Sequence, residues 1–240
     1  MVKEKLQNFN TEAGEDNDII NRIEKLSQEH SNKVKEIKIL TTLPSTDIPE
    51  IDDMFKYIQK ECAENSIRFD LKINGSIHPL VNNIIPLTKL ETLIGDHLRD
   101  AIIAVNSSTS SNKEIFVILG IKDNCYELCI YDSGIEFEID TLLKLGLVPA
   151  TTHKESGGTG IGFITTFETL KQCRASLIIE ERNSECSNHY TKNVKVRFDG
   201  KCEYRINSYR ADEIKNKLKD GRIIVSSLDE IKYSSNLSKN

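Results

Sequence analysis

The sequence predicts an α+β fold: a two-layer sandwich with helices on one face of a largely antiparallel sheet, preceded by an N-terminal helical hairpin. Three observations lead there. After Asn65 most apolar runs alternate with period two or are β-rich, as in IRFDLKI, EIFVILGI and CYELCIYD. One long stretch, PLTKLETLIGDHLRDAIIAVN, keeps helical spacing instead. The glycines gather in GGTGIGF, residues 157–163, directly before the helical run ITTFETLKQC.

Taken in order, residues 1–15 are polar and expected to be disordered. Ile19, Ile23, Leu26, His30, Val34, Ile37 and Leu40 then recur by threes and fours, as on one face of a helix. TTLPSTDIPE breaks that helix with two prolines and cap-forming residues. A second helix places Ile51, Phe55, Ile58 and Cys62 on one face. The pair, residues 16–65, reads as a helical hairpin or dimerising bundle, and the domain proper spans 66–222. His78 and His189 fall in expected loops. EIFVILGI and CYELCIYD flank KDN, a hairpin turn. IDTLLKLG is a short helix inside an otherwise irregular connection over 137–156. ASLIIEE, NVKVRF and CEYRI are strands, the last two flanking Asp199–Gly200 as a second hairpin. RADEIKNKL is the final helix, and 223–240 reads as a flexible tail.

The net charge of −5, with Lys and Arg scattered, argues against a nucleic-acid surface. No apolar run is long enough to cross a bilayer, and the first residues lack the core of a signal peptide, so a cytoplasmic location is expected. The six cysteines form no CxxC pair and read as a reduced set.

The glycine run at a helix start suggests phosphate binding, because such a helix offers unpaired N–H groups to an anion. It is not a Walker loop, since Phe163 and Ile164 follow Gly162 where Lys and Ser or Thr are needed. Nor does its spacing match the dinucleotide fingerprint. Two other stretches carry chemistry. In DHLRDAIIA, Asp96 and Asp100 lie four apart and share a helical face, where paired carboxylates can hold Mg²⁺ beside a phosphate chain. In DSGIE, Asp132 ends an apolar strand, where a carboxylate can accept a hydrogen bond from an exocyclic amine. Gly134 would let a base approach the backbone.

These three segments, in this order, resemble the N-box and the two glycine boxes of the ATPase family shared by gyrase, Hsp90, sensor histidine kinases and MutL. The wording TTHKESGGTGIGF is most similar to the GHKL-type ATP-binding domain of bacterial sensor histidine kinases. The resemblance covers roughly residues 67–206 and implies a Bergerat-type ATP-binding fold, with ATP and Mg²⁺ as cofactors. It implies that Asp100 binds the metal, in place of the family's asparagine, and that Asp96 is the catalytic acid one turn earlier. Asp132 and Gly134 would take the base. Gly158, Thr159, Gly160 and Gly162 would take the phosphates, with Lys154 reaching in from a lid. Glu136 stands where the family usually has its next glycine. His30, on the first helix, is the implied phosphoacceptor, although Ser31 follows it where an acid is usual.

Two functions follow from the resemblance. In the first, the chain is the catalytic portion of a histidine kinase. It dimerises through its N-terminal helices, phosphorylates His30 and passes the phosphoryl group to a response regulator. In the second, it is a nucleotide-binding switch or pseudokinase without histidine phosphorylation.

Overall fold

The computed structural model describes residues 40–143, 161–183, 190–218 and 223–228. The chain divides into two units at Thr41/Thr42, and every element below belongs to the second. A seven-stranded sheet runs in the order β1-β2-β3-β5-β4-β6-β7. Its strands are β1 (Arg68–Asn74), β2 (Glu114–Lys122), β3 (Cys125–Asp132), β4 (Ser176–Glu181), β5 (Lys192–Phe198), β6 (Tyr204–Ser208) and β7 (Ile223–Ser226). The helices are α1 (Pro49–Glu64), α2 (His78–Asn83), α3 (Leu87–Ser107), α4 (Ile139–Leu143), α5 (Ile161–Gln172) and α6 (Ala211–Lys217). The observed class is the expected one, a two-layer α+β sandwich.

Side-chain alternation fixes which face is covered. Val117 and Leu119 on β2, which share their parity with Ile115, register with Ile130 and Leu128 on β3, then with Val194 and Val196 on β5 and Ile179 and Leu177 on β4. All are buried in one cluster with the apolar faces of α1 and α3. Successive strand residues point to opposite faces, so this single parity is the inner face. The β2–β3 hairpin forms as expected. Its two-residue turn, Asp123–Asn124, has both residues at positive φ (49° and 62°), the conformation that matches strand twist.

Four expectations are corrected. Asp199–Gly200 turns the chain, with Gly200 at φ 75°, but joins no hairpin. Both edges of β5 are already taken, by β3 and β4, so β6 crosses to the far side of β4 and pairs with it in parallel. Asp199 Oδ1 accepts from Ser176 Oγ at 2.8 Å, and that hydroxyl accepts from Glu203 N–H at 3.0 Å, tethering the crossover. The antiparallel part of the sheet is therefore β2, β3, β5 and β4, with parallel pairs on both flanks. Residues 223–226, expected in the tail, are β7, paired with β6. His78 opens the short helix α2 rather than lying in a loop.

The fourth correction concerns α1. Its periodicity is as expected, with Pro49 at the first helical position and Ile51, Phe55, Ile58 and Cys62 buried. That face lies in the sheet's own core, against α3 and β1, so the sheet-bearing unit begins at Thr42 and not at residue 66.

Candidate functional site

One row of the inner face is polar. The register places Asp132 (β3) beside Lys192 (β5), Lys192 beside Glu181 (β4), and Glu181 beside Ser208 (β6). All four are buried. Charged groups reach such positions only when paired, and here they form two pairs. Lys192 Nζ lies 3.4 Å from Asp132 Oδ1. Arg210 donates twice to Glu181, from Nε to Oε2 at 2.9 Å and from Nη2 to Oε1 at 2.7 Å. The fork geometry of guanidinium suits this bidentate contact.

The turn after β3 is held from both sides. Gly134 N–H donates to Asp132 Oδ1 at 2.9 Å, and Thr191 N–H donates to the Asp132 carbonyl at 2.9 Å. Thr191 Oγ1 donates to the Gly134 carbonyl at 2.6 Å, and Ile135 N–H donates to the Ala104 carbonyl of α3 at 3.1 Å. Gly134 itself departs from the expected role. A Cβ there would sit 2.5 Å from the carbonyl carbon of Ala104 and 2.7 Å from its Cβ. The space that glycine leaves is filled by α3, not offered to a base. Further along, Phe137 N–H donates to Glu181 Oε1 at 2.9 Å, its carbonyl accepts from Arg210, and its ring centre lies 4.6 Å from Lys192 Nζ. Glu136 Oε2 accepts from Tyr209 Oη at 2.7 Å, so this residue is engaged by the segment after β6.

Above the row, α3 contributes the expected acids. Its apolar face, including Leu93, Ile94, Leu98, Ala101 and Val105, is buried, which leaves Asp96 and Asp100 on a flank. The Asp100 carboxyl is raised to about 6, by burial first and then by the charge of Asp96, with Lys192 and Arg99 acting against them and Asp132 adding a further push upward. Burial raises Asp96 too, opposed by Arg99 4.0 Å away. Burial also raises Asp132, against the lowering effects of Lys192 and the Gly134 N–H. Asp100 and Asp132, thirty-two residues apart in sequence, are thus close enough to feel each other's charge. His97, on the buried side of α3, meets Thr166 Oγ1 of α5 at 3.2 Å, and burial holds its imidazole down at about 4.

Among the described residues no group of three or more His, Cys, Asp or Glu side chains is placed to hold a metal ion. A Mg²⁺ site needs fewer, commonly one or two carboxylates completed by phosphate oxygens and water. The hard oxygen donors of Asp96 and Asp100, with the second ionising reluctantly beside its neighbours, suit that cation. Gly162 lies in the first turn of α5. His30, Lys154, Gly158, Thr159 and Gly160 lie outside the described residues. Sequence reasoning missed Lys192, Thr191, Glu181 and Arg210. Lys192 carried a signal, since it shares the parity of Val194, Val196 and Phe198 on β5.

The chain is similar in structure to the catalytic domain of the histidine kinase ThkA, at 15% identity and a TM-score of 0.47 over 62% of this chain and 90% of that one. It is also similar to the mycobacterial sensor histidine kinase MprB, at 12% identity and a TM-score of 0.42 over 60% of this chain and 89% of that one. No family model and no curated protein matches the sequence.

Proposed function

We propose that residues 42–228 form an ATP-binding catalytic domain of the histidine-kinase type, and that this chain phosphorylates its own His30. The observation that carries the reading is the convergence of Asp100, half-buried on α3, with the buried Asp132 at the end of β3, two acids from separate motifs near one another on the inner face. Asp132 would accept from the exocyclic amine of adenine. Asp100 would hold Mg²⁺ against the phosphates, and Asp96, one turn earlier, would orient the attacking group. A cation held by Asp100 would offset the burial and the acid–acid repulsion that keep this carboxyl high, so metal and nucleotide should bind cooperatively. Gly158, Thr159, Gly160 and Gly162 would offer N–H and hydroxyl donors to the phosphates at the start of α5, with Lys154 closing over them.

In the reaction, a neutral imidazole nitrogen of His30 attacks the γ-phosphorus, the bond to the β–γ bridging oxygen breaks, and ADP leaves with that electron pair. A response regulator would then accept the phosphoryl group, and residues 16–40 would carry dimerisation in a cytoplasmic protein. Incubation with γ-labelled ATP and Mg²⁺ tests this. Acid-labile label on the wild type, absent from His30→Ala, is expected. ATP binding without label would favour the switch reading instead. Asp132→Asn should abolish binding, because the amide keeps one acceptor oxygen where the carboxylate has two, so either the amine or Lys192 would meet an NH₂ donor.

A further inference from the structure

The ion pair at Asp132 has a consequence for what the base site reads. Lys192 Nζ carries three N–H donors. One faces Asp132 Oδ1 at 3.4 Å, and the ammonium lies over the Phe137 ring at 4.6 Å. Those two contacts leave donor capacity for a ligand. Both side chains of the pair are nearly sealed, at 4% and 5% exposure, on the inner face of the sheet. Together they present an acceptor and a charged donor side by side.

We propose that Lys192 is a base-reading residue that donates to adenine N1 while Asp132 accepts from the adjacent exocyclic amine. The inference rests on the ATP-binding reading above. Adenine offers a donor and an acceptor on neighbouring atoms at this edge, which complements the Asp–Lys pair. The edge is fixed by the shape of the nucleotide. The phosphates hang from N9 through the ribose and must stay toward the mouth, so a base that enters first leads with the atoms farthest from N9. Those are N1 and its neighbours, not N7. A purine lacking an acceptor at N1 would leave the buried ammonium facing a C–H group. Sites built around buried polar groups reject ligands that leave them unpaired.

Calorimetric titration of the full chain with ATP, 1-deaza-ATP and 7-deaza-ATP, all with Mg²⁺, tests the assignment. The wild type should bind 1-deaza-ATP about tenfold or more weakly than ATP, as expected for losing a hydrogen bond to a charged group, and 7-deaza-ATP within about twofold. Lys192→Met should bind ATP and 1-deaza-ATP alike, and Lys192→Arg should keep the discrimination. If Lys192→Met does not fold, the wild-type comparison decides alone. Tight ATP binding with no penalty for 1-deaza-ATP overturns the assignment and leaves the ATP reading standing. So does a penalty that appears with 7-deaza-ATP instead, or discrimination that survives in folded Lys192→Met. Binding of none of the three overturns both.

Discussion

Asp100 sits in an environment that resists its charge. Its carboxyl ionises at about 6 in the folded chain, against an ordinary value of 3.8, because of burial first and then Asp96 and Asp132. Between those two values the folded state binds more protons than the unfolded state, so this group's contribution to stability falls as pH rises through that window. Above it, the ionised carboxylate costs about 2–3 kcal/mol, two units at 1.36 kcal/mol each. Asp100→Asn removes the charge and keeps an oxygen. Without nucleotide its melting temperature at pH 7 should exceed the wild type's by roughly 4–10 °C, and the difference should shrink toward pH 4. Equal melting temperatures at pH 7 would show that the charge is relieved in some other way. Asp96, Asp100 and Asp132 were legible because motif spacing marks them. Lys192 was harder to see. Lysine in a strand ordinarily signals a solvent-facing position, and only its parity with Val194 and Val196 shows that it points inward.

At the scale of elements, α3 and the turn after β3 lock together, and Gly134 is the point of contact. Any side chain there meets backbone atoms of Ala104 and Val105, at 2.5 and 2.7 Å from the added Cβ. A helix backbone cannot rotate away as a flexible side chain can. Gly134→Ala should therefore push α3 outward at a cost of about 1–3 kcal/mol. The displacement would separate Asp100 from Asp132. Melting temperature and ATP affinity should fall together, and a variant that keeps its melting temperature but loses affinity would assign the glycine to the base after all. The elements themselves were legible almost throughout, since helical spacing, strand alternation and the Asp123–Asn124 turn are local signals. The sheet order was not. Asp199–Gly200 has hairpin chemistry, yet β6 lies beside β4, because the edges of β5 are occupied by strands distant in sequence. Turn propensity says that the chain reverses, and long-range pairing decides where it goes.

For the whole molecule, the decisive question is where the sheet-bearing unit begins. A helical hairpin ending at residue 65 and a domain starting at 66 would place α1 outside the fold. Its face is instead spent on the core: Ile51, Phe55 and Cys62 are fully buried and Ile58 is 5% exposed. Each such apolar side chain contributes about 1.5–3 kcal/mol when buried, so the four together match much of a domain's total stability of roughly 5–15 kcal/mol. The turn leaving α1 is also tied in. Ile67 N–H donates to the Cys62 carbonyl at 2.8 Å, and Arg68 N–H then donates to the Lys113 carbonyl at 2.9 Å, entering β1. Removing α1 would expose α3 and β1, which position Asp96, Asp100 and the strand beside β2. A chain starting at Thr42 should therefore melt in one cooperative transition and bind ATP as the full chain does. A chain starting at residue 66 should lose the cooperative transition and expose apolar surface to a hydrophobic dye. Two truncations with the same calorimetric profile would return α1 to the N-terminal helices and free its apolar face for pairing with a second copy.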